Sequence, residues 1–183
     1  YVTYKPCEEE EPQDQSIILL EYYDQENKLM RLPQKGYAKI RQTYNRSGFL
    51  IREAYFVEDK DRKECPAYRK DYMVAEIAYE YSDDGNRICI EYRDDSGNPI
   101  NRRDAGYAKI YQEFESGYLV GVYYKGYKDQ IMVDVPDQTT GIASAKYVYA
   151  NGRKKEDHYF DTKGVPALRS DLGYAVKKYD YNS

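Results

Sequence analysis

The sequence predicts an all-β protein built from antiparallel strands that follow one another as tandem β-hairpins. Three observations support this fold class: residue character alternates with a period of two, tight-turn signals recur along the chain, and a unit of about 35 residues repeats. We expect roughly ten strands in five such repeats, stacked as an elongated sheet or a solenoid-like array.

The repeat is clearest at the tripeptide Gly-Tyr-Ala, which begins at Gly36, Gly106 and Gly173. Alignment on its Tyr predicts two further copies, which begin at Tyr72 and Ile142. A chain of 183 residues with this self-similarity is expected to form a single repeat domain. Its predicted repeats are residues 37–71, 72–106, 107–141 and 142–173, with partial repeats at 1–36 and 174–183.

Each repeat is predicted to open with a short strand, of which residues 37–44 are the clearest example. One face of that run carries Ala38, Ile40 and Tyr44, and the opposite face carries Tyr37 together with basic residues. Strict alternation in a short run that is rich in Tyr and β-branched residues favours a strand over a helix.

A tight turn then leads into a second strand. Asn151 with Gly152, and Ser116 with Gly117, are strong hairpin signals, because Gly adopts the positive φ that such turns need. The second strand ends in a recurrent Tyr, and a longer turn closes the repeat, usually with a Pro that cannot donate to a strand ladder. The recurrent tyrosines are Tyr22, Tyr55, Tyr92, Tyr123 and Tyr159, and the prolines are Pro66, Pro99, Pro136 and Pro166.

Tyrosine is expected to replace much of the usual aliphatic core, since the chain has 24 Tyr, no Trp, and only 33 Leu, Ile, Val and Phe residues together. A Tyr ring can bury about 150–250 Å² while its hydroxyl stays hydrated or hydrogen-bonded. One aromatic set is predicted to lie in the core, and a set of mostly small residues is predicted to let a neighbouring layer approach closely. The aromatic set is Tyr44, Tyr79, Phe114, Tyr149 and Tyr181, and the small set is Ala38, Met73, Ala108, Ala143 and Ala175.

A third set of tyrosines shares its face with Lys and Arg, so we expect it to be more exposed, or else to be covered by the long turns. Its members are Tyr37, Tyr72, Tyr107 and Tyr174. Because an exposed Tyr is large, rigid and amphipathic, it suits a contact surface. These four residues are the candidate ligand contacts.

Charge and hydropathy exclude several classes of partner. The net charge of −4 and a pI of about 5.2 argue against nucleic acid. No run of about 18 apolar residues occurs, so no membrane span is expected. The acidic run at residues 8–11 is expected to be a solvated loop, with an acidic docking segment as the alternative.

No catalytic residue, metal site or cofactor is predicted. His158 is the single His, and we expect a half-exposed strand residue rather than a catalytic base. The sequence has no Cys-x-x-C pair and no Gly-rich phosphate loop, and its Asp-rich turns lack the spacing of an EF-hand. Cys7, Cys65 and Cys89 are expected to be free thiols, with a Cys7–Cys65 or Cys65–Cys89 bridge left open.

The turn pattern Tyr-x-x-x-Gly-x-Leu at residues 44–50 resembles the YD repeats of bacterial Rhs-type proteins. The run Tyr-Phe-Asp-Thr-Lys-Gly-Val-Pro at residues 159–166 is similar to uncharacterised bacterial tandem repeats, and more distantly to the aromatic hairpin repeats of cell-wall-binding modules and clostridial toxins. The resemblance covers almost the whole chain. It implies a repeated β-architecture in a bacterial protein at the cell surface or in the secreted or periplasmic fraction, and it carries over no binding site.

Two functions of different classes fit these features. The first is a non-enzymatic repeat scaffold that mediates protein–protein interaction, and the second is a carbohydrate-binding or cell-wall-binding module whose exposed Tyr rings stack on sugars. We favour the first, because packing already accounts for the recurrence of Tyr. The end strands of such a sheet are open edges, which would also allow edge-to-edge self-association.

Overall fold

The computed structural model describes residues 15–132 and 140–181, and the backbone alone of residues 2–5. In these ranges the chain forms twelve strands in one sheet and no helix, which confirms the all-β prediction. The strands are β1 (Val2–Lys5), β2 (Gln15–Tyr22), β3 (Lys39–Asn45), β4 (Leu50–Glu58), β5 (Glu64–Pro66), β6 (Glu76–Tyr81), β7 (Arg87–Arg93), β8 (Lys109–Glu115), β9 (Tyr118–Lys125), β10 (Ser144–Ala150), β11 (Arg153–Phe160) and β12 (Val176–Lys178).

Strands that follow one another along the chain are neighbours in the sheet, in the order β1-β2-β3-β4-β6-β7-β8-β9-β10-β11-β12. Each strand pair whose register is described is antiparallel. Strand β5 lies off this path beside β4, because the long turn folds back onto the strand that it leaves. Pro66 ends β5, Pro99 and Pro166 form isolated bridges in the equivalent place, and Pro136 lies outside the described residues.

The chain folds into two compact bodies. The N-terminal body comprises residues 1–80 and 91–100, and the C-terminal body comprises residues 81–90 and 101–183. The N-terminal core contains Tyr55, which is fully buried. The C-terminal core contains a buried cluster of Ile142, Ala145 and Tyr159.

A shared backbone hydrogen bond marks the recurrent Tyr of each second strand. Its carbonyl oxygen accepts the N–H of a residue that returns from the long turn, as Tyr55 accepts from Ala67 at 2.8 Å. The same bond is made by Tyr22, Tyr92, Tyr124 and Tyr159. Tyr124 therefore holds the place predicted for Tyr123, and the difference matters because adjacent strand residues point to opposite faces.

Backbone hydrogen bonds also identify which residues near Tyr72 are equivalent to Gly36 and the residues after it. The N–H of Gly36 donates to the carbonyl of Leu32, and the N–H of Met73 donates to the carbonyl of Arg69 in the same way. Met73 has a φ of 55° and so replaces a Gly in a left-handed position. The residues equivalent to Tyr37, Ala38 and Tyr44 are thus Val74, Ala75 and Tyr81, in place of Tyr72, Met73 and Tyr79. The repeat boundaries themselves stay a prediction.

The aromatic set that was predicted to form the core is not buried. Four members are half-buried, namely Tyr44, Tyr79, Phe114 and Tyr149. The fifth, Tyr181, is 42% exposed. All but Tyr79 lie at or near the hairpin turns or the chain end, where less of the sheet covers them. In the small set, Ala38, Ala108 and Ala143 are buried, as close packing requires.

Cys65 and Cys89 are not joined by a disulfide. Cys7 and the acidic run at residues 8–11 lie outside the described residues. His158 is half-buried in β11, with its Nε2 atom 2.6 Å from the Oε2 atom of Glu156. Over the described part of the chain, no helix is long and apolar enough to cross a bilayer.

Candidate functional site

The four predicted ligand contacts do not form an exposed surface. Tyr37 and Tyr107 are buried, with 6% and 7% of their surface exposed, and Tyr72 and Tyr174 are half-buried. Of the two expectations for this set, exposure or cover by other parts of the chain, the buried pair follows the second. Tyr37 stacks on Tyr55 at 4.8 Å between ring centroids, and Tyr107 stacks on Tyr124 at the same distance.

Arginines of the long turns complete this cover. The Nη1 atom of Arg69 donates to the hydroxyl of Tyr55 at 2.9 Å, and its other nitrogens bind both carboxylate oxygens of Asp71 at 2.8 and 3.0 Å. Tyr55 in turn donates to Glu53. Burial, followed by the hydrogen bond to Glu53, raises the pKa of Tyr55 well above its usual range. The hydroxyl therefore stays protonated and serves as a structural link rather than a reactive group.

The same clamp recurs in the C-terminal body. Arg169 binds Asp171, and its Nη1 atom lies 3.4 Å from the hydroxyl of Tyr159. Arg102 binds Asp104, and its guanidinium lies 5.6 Å from the ring centroid of Tyr107. The sequence carries a signal for these residues, because Arg-x-Asp precedes the repeat start in each case. These contacts hold the long turns onto the sheet.

An open groove of about 500 Å³ lies in the C-terminal body between strands β9 and β10. Its walls carry exposed aromatic and apolar side chains beside charged ones. The lining residues are Glu113, Glu115, Ser116, Tyr118, Val120, Lys146, Tyr147, Val148 and Tyr149. Among these, Tyr118 is 41% exposed and Val148 is 45% exposed.

The groove exists because the β9–β10 ladder is short. The two strands pair through three residues, and the last rung joins Gly121 to Lys146. Directly before Gly121, the pairing of β9 with β8 shifts by one residue, which makes Val120 a β-bulge. A bulge increases the local twist of its strand and ends pairing. Strand β9 thus leaves β10 at Val120, and the gap between them is the groove.

The same relation holds at two other junctions between hairpins. The β4–β6 ladder ends at Arg52, directly after a bulge at Ile51. The β11–β12 ladder ends at Glu156, directly after a bulge at Lys155. Each of these ladders also has three rungs. A bulge one residue before the last rung is therefore a recurrent device that limits how far successive hairpins pair.

Aromatic side chains bridge the mouth of the groove. The rings of Tyr118 and Tyr149 lie 4.8 Å apart between centroids, and a Cβ atom built on Gly152 would meet the Tyr118 hydroxyl at 3.2 Å. Behind them, the Nζ atom of Lys154 lies 4.2 Å from the ring centroid of Tyr147. Burial, followed by neighbouring Tyr159, raises the pKa of Tyr147. One wall is thus a packed aromatic surface, and its outer ring faces solvent.

Charged side chains also line the groove. Glu113 and Glu115 alternate along β8 and are exposed, and Lys146 is exposed on β10. The side chain of Glu113 lies over Gly121, where a Cβ atom would come within 2.6 Å of its Oε2 atom. Across residues 15–132 and 140–181, these two carboxylates and Lys146 enter no ion pair within 4.0 Å. Among the described residues, the groove therefore offers two anionic groups and one cationic group that are not engaged in ion pairs.

Sequence reasoning missed this site. Tyr149 was assigned to the core, and Tyr118 directly follows a predicted turn, where it belonged to no aromatic set. A usable signal was present: Gly121 is the only Gly within a strand of the C-terminal body as described, and Gly in a strand often marks a bulge or an open surface. No group of three His, Cys, Asp or Glu side chains in the described residues is arranged to hold a metal ion.

No protein-family model matches this sequence, and no curated protein matches it.

Proposed function

We propose that this chain is a non-enzymatic interaction module that binds a protein partner through the groove in the C-terminal body. The observation that carries the proposal is a pair of aromatic rings, exposed Tyr118 and half-buried Tyr149, in a groove whose charged side chains enter no ion pair among the described residues. Exposed Tyr beside a concave surface is typical of interaction hot spots. From the resemblance to bacterial tandem repeats, we place this binding at the cell surface or in the exported fraction.

A second candidate is a carbohydrate-binding module. It is favoured by one observation, namely that the Tyr118 ring lies in the same groove as the carboxylates of Glu113 and Glu115. An aromatic face with nearby carboxylates can stack on a sugar and accept hydrogen bonds from its hydroxyls. Any such ligand would contact Tyr118, rather than Tyr37 and Tyr107, which are buried.

Both candidates can be tested on one set of proteins. The wild-type chain is screened against a displayed random-peptide library and a glycan array, beside a Tyr118→Ser/Tyr149→Ser variant. The matched control is Tyr127→Ser/Tyr181→Ser, which removes two exposed tyrosines outside the groove. We expect selected peptides to bind the groove variant at least about tenfold more weakly, since a hot-spot Tyr contributes more than about 1 kcal/mol. The control should bind as the wild type does.

The alternatives have distinct outcomes. Glycan binding that the groove variant loses, without any selected peptide, would replace the protein partner by a carbohydrate. Peptide binding that both variants retain would show that the groove is not the site.

A further inference from the structure

Strand β10 has a backbone edge without a partner strand along the groove. Its other edge pairs with β11 over its whole length, but pairing with β9 stops at Lys146. The carbonyl of Ala143 accepts the N–H of Tyr124 at 3.1 Å, which identifies the side that faces β9. Because backbone groups alternate sides along a strand, Tyr147 and Tyr149 direct their N–H and C=O groups toward the side that faces β9. The N–H of Tyr147 completes the last rung by bonding the carbonyl of Val120. Beyond that rung, no strand in the described part of the chain pairs with the C=O of Tyr147 or with the N–H and C=O of Tyr149.

An unpaired strand edge is the feature through which an extended peptide joins a sheet. The edge beyond Lys146 comprises residues 147–150, which span about 13 Å at about 3.3 Å per residue. Such a stretch offers hydrogen bonds to a segment of about four residues at roughly one pair of bonds for every second residue. A sugar would leave most of these backbone groups unmatched, because it lacks a regular series of amide donors and acceptors.

The charged side chains of the groove indicate which charged residues the peptide contains. Glu113 and Glu115 are two residues apart on one strand, so their side chains lie on the same face about 7 Å apart. Side chains on one face of an added strand have the same spacing. Without a cation within 4.0 Å among the described residues, these carboxylates complement Lys or Arg at alternate positions of the ligand. Exposed Val148 and Tyr118 offer contacts to apolar residues of the same segment.

We infer that the groove binds an extended peptide segment of another protein that carries Lys or Arg at alternate positions, and that this segment joins the sheet as a strand along β10. The inference rests on the proposed function, because it names the partner chemistry of the same groove. Backbone pairing with β10 sets the orientation of the peptide in the groove. The Glu113 and Glu115 carboxylates select its positive charge, and the Tyr118 ring contacts it at the edge of the groove.

The test uses the peptides that the 183-residue chain selects from the displayed library. Each is synthesised with a single N-methyl group at every backbone position in turn, and binding is measured by fluorescence anisotropy. A peptide bound as a strand donates backbone N–H groups to β10 from every second residue. N-methylation of the peptide should therefore weaken binding at least about tenfold at alternate positions only. Glu113→Gln/Glu115→Gln should weaken binding about threefold to tenfold and reduce its salt dependence, as expected for two exposed ion pairs.

The matched control is Asp83→Asn/Asp84→Asn, which removes two exposed carboxylates from a turn outside the groove. It should leave binding unchanged, and the melting temperature of each variant checks its fold. Peptide binding that depends on Tyr118 but tolerates N-methylation at every position, or that selects acidic sequences, would overturn this inference and leave the proposed function standing. If no selected peptide depends on Tyr118 and Tyr149, both are wrong.

Discussion

Two junctions between successive hairpins differ in how far their strands pair. In the N-terminal body, β2 and β3 pair through seven residues, from the rung between Gln15 and Asn45 to the rung between Glu21 and Lys39. In the C-terminal body, β9 and β10 pair through three residues. No bulge interrupts β2 in the rungs that are described, whereas β9 has one at Val120.

The consequence is visible in the side chains at each junction. At the long ladder, Lys39 is buried with Glu21 and lies 3.1 Å from it, and Tyr37 packs on Tyr22 at 6.1 Å. At the short ladder, the charged side chain is the exposed Lys146 and the aromatic one is the exposed Tyr118. The same residue types are thus structural where pairing continues and available to a partner where a bulge ends it.

The largest expected difference between the junctions concerns their tyrosines. Tyr37→Ala should lower the free energy of unfolding by about 3–5 kcal/mol, the usual cost of removing a buried aromatic ring. Tyr118→Ala should cost less than about 1 kcal/mol, since its ring is partly solvated and loses mainly one aromatic contact. Urea unfolding of both variants measures the two values. Equal losses would mean that the two junctions are packed alike.

A smaller difference is expected for the two lysines. Lys39 contacts Glu21 at 3.1 Å and Glu58 at 2.8 Å, so Lys39→Met removes a buried cation that these two carboxylates share and should cost about 2–3 kcal/mol. Lys146→Met should change stability by less than about 0.5 kcal/mol, as surface substitutions usually do. Thermal unfolding of Lys39→Met and Lys146→Met at neutral pH measures these two changes in stability. A comparable shift in both variants would contradict the distinction between a closed and an open junction.

The smallest expected effect is a dependence on alkaline pH. Burial lowers the pKa of Lys39, but hydrogen bonds to Glu58 and Glu21 outweigh it, and the net pKa is raised. Stabilisation from a raised Lys pKa is complete below the unfolded value of about 10.4 and is lost as pH rises through the folded value. The stability difference between wild type and Lys39→Met should therefore be constant from pH 7 to about 10 and shrink above it. Urea unfolding measured across this pH range tests this expectation. If the stability difference grew above about pH 10, the pKa of Lys39 would not be raised in the folded protein.

Local sequence determined much of the fold. Turns such as Asn151 with Gly152 adopt positive φ at both residues, as the hairpin signal predicted. Period-two alternation then identified strands on either side of them. These features depend on nearest-neighbour sterics, so they can be read without knowledge of the packing. Alternation also separates two faces, but it does not state how far each face is covered. Ala38 and Ile40 are buried on the predicted core face, yet Tyr44 at the end of that face is only half-buried. Tyr37 is buried on the opposite face.

The sequence by itself therefore determined the strand class, the antiparallel hairpins and most turn positions, because backbone sterics and side-chain alternation act over a few residues. The tertiary structure alone decided which tyrosines are buried, because Tyr37 stacks on Tyr55 and Tyr107 stacks on Tyr124, which lie on neighbouring strands. It also decided where the groove lies. The bulge at Val120 forms in the pairing of β9 with β8, and it opens a groove because β10 lies on the other side of β9.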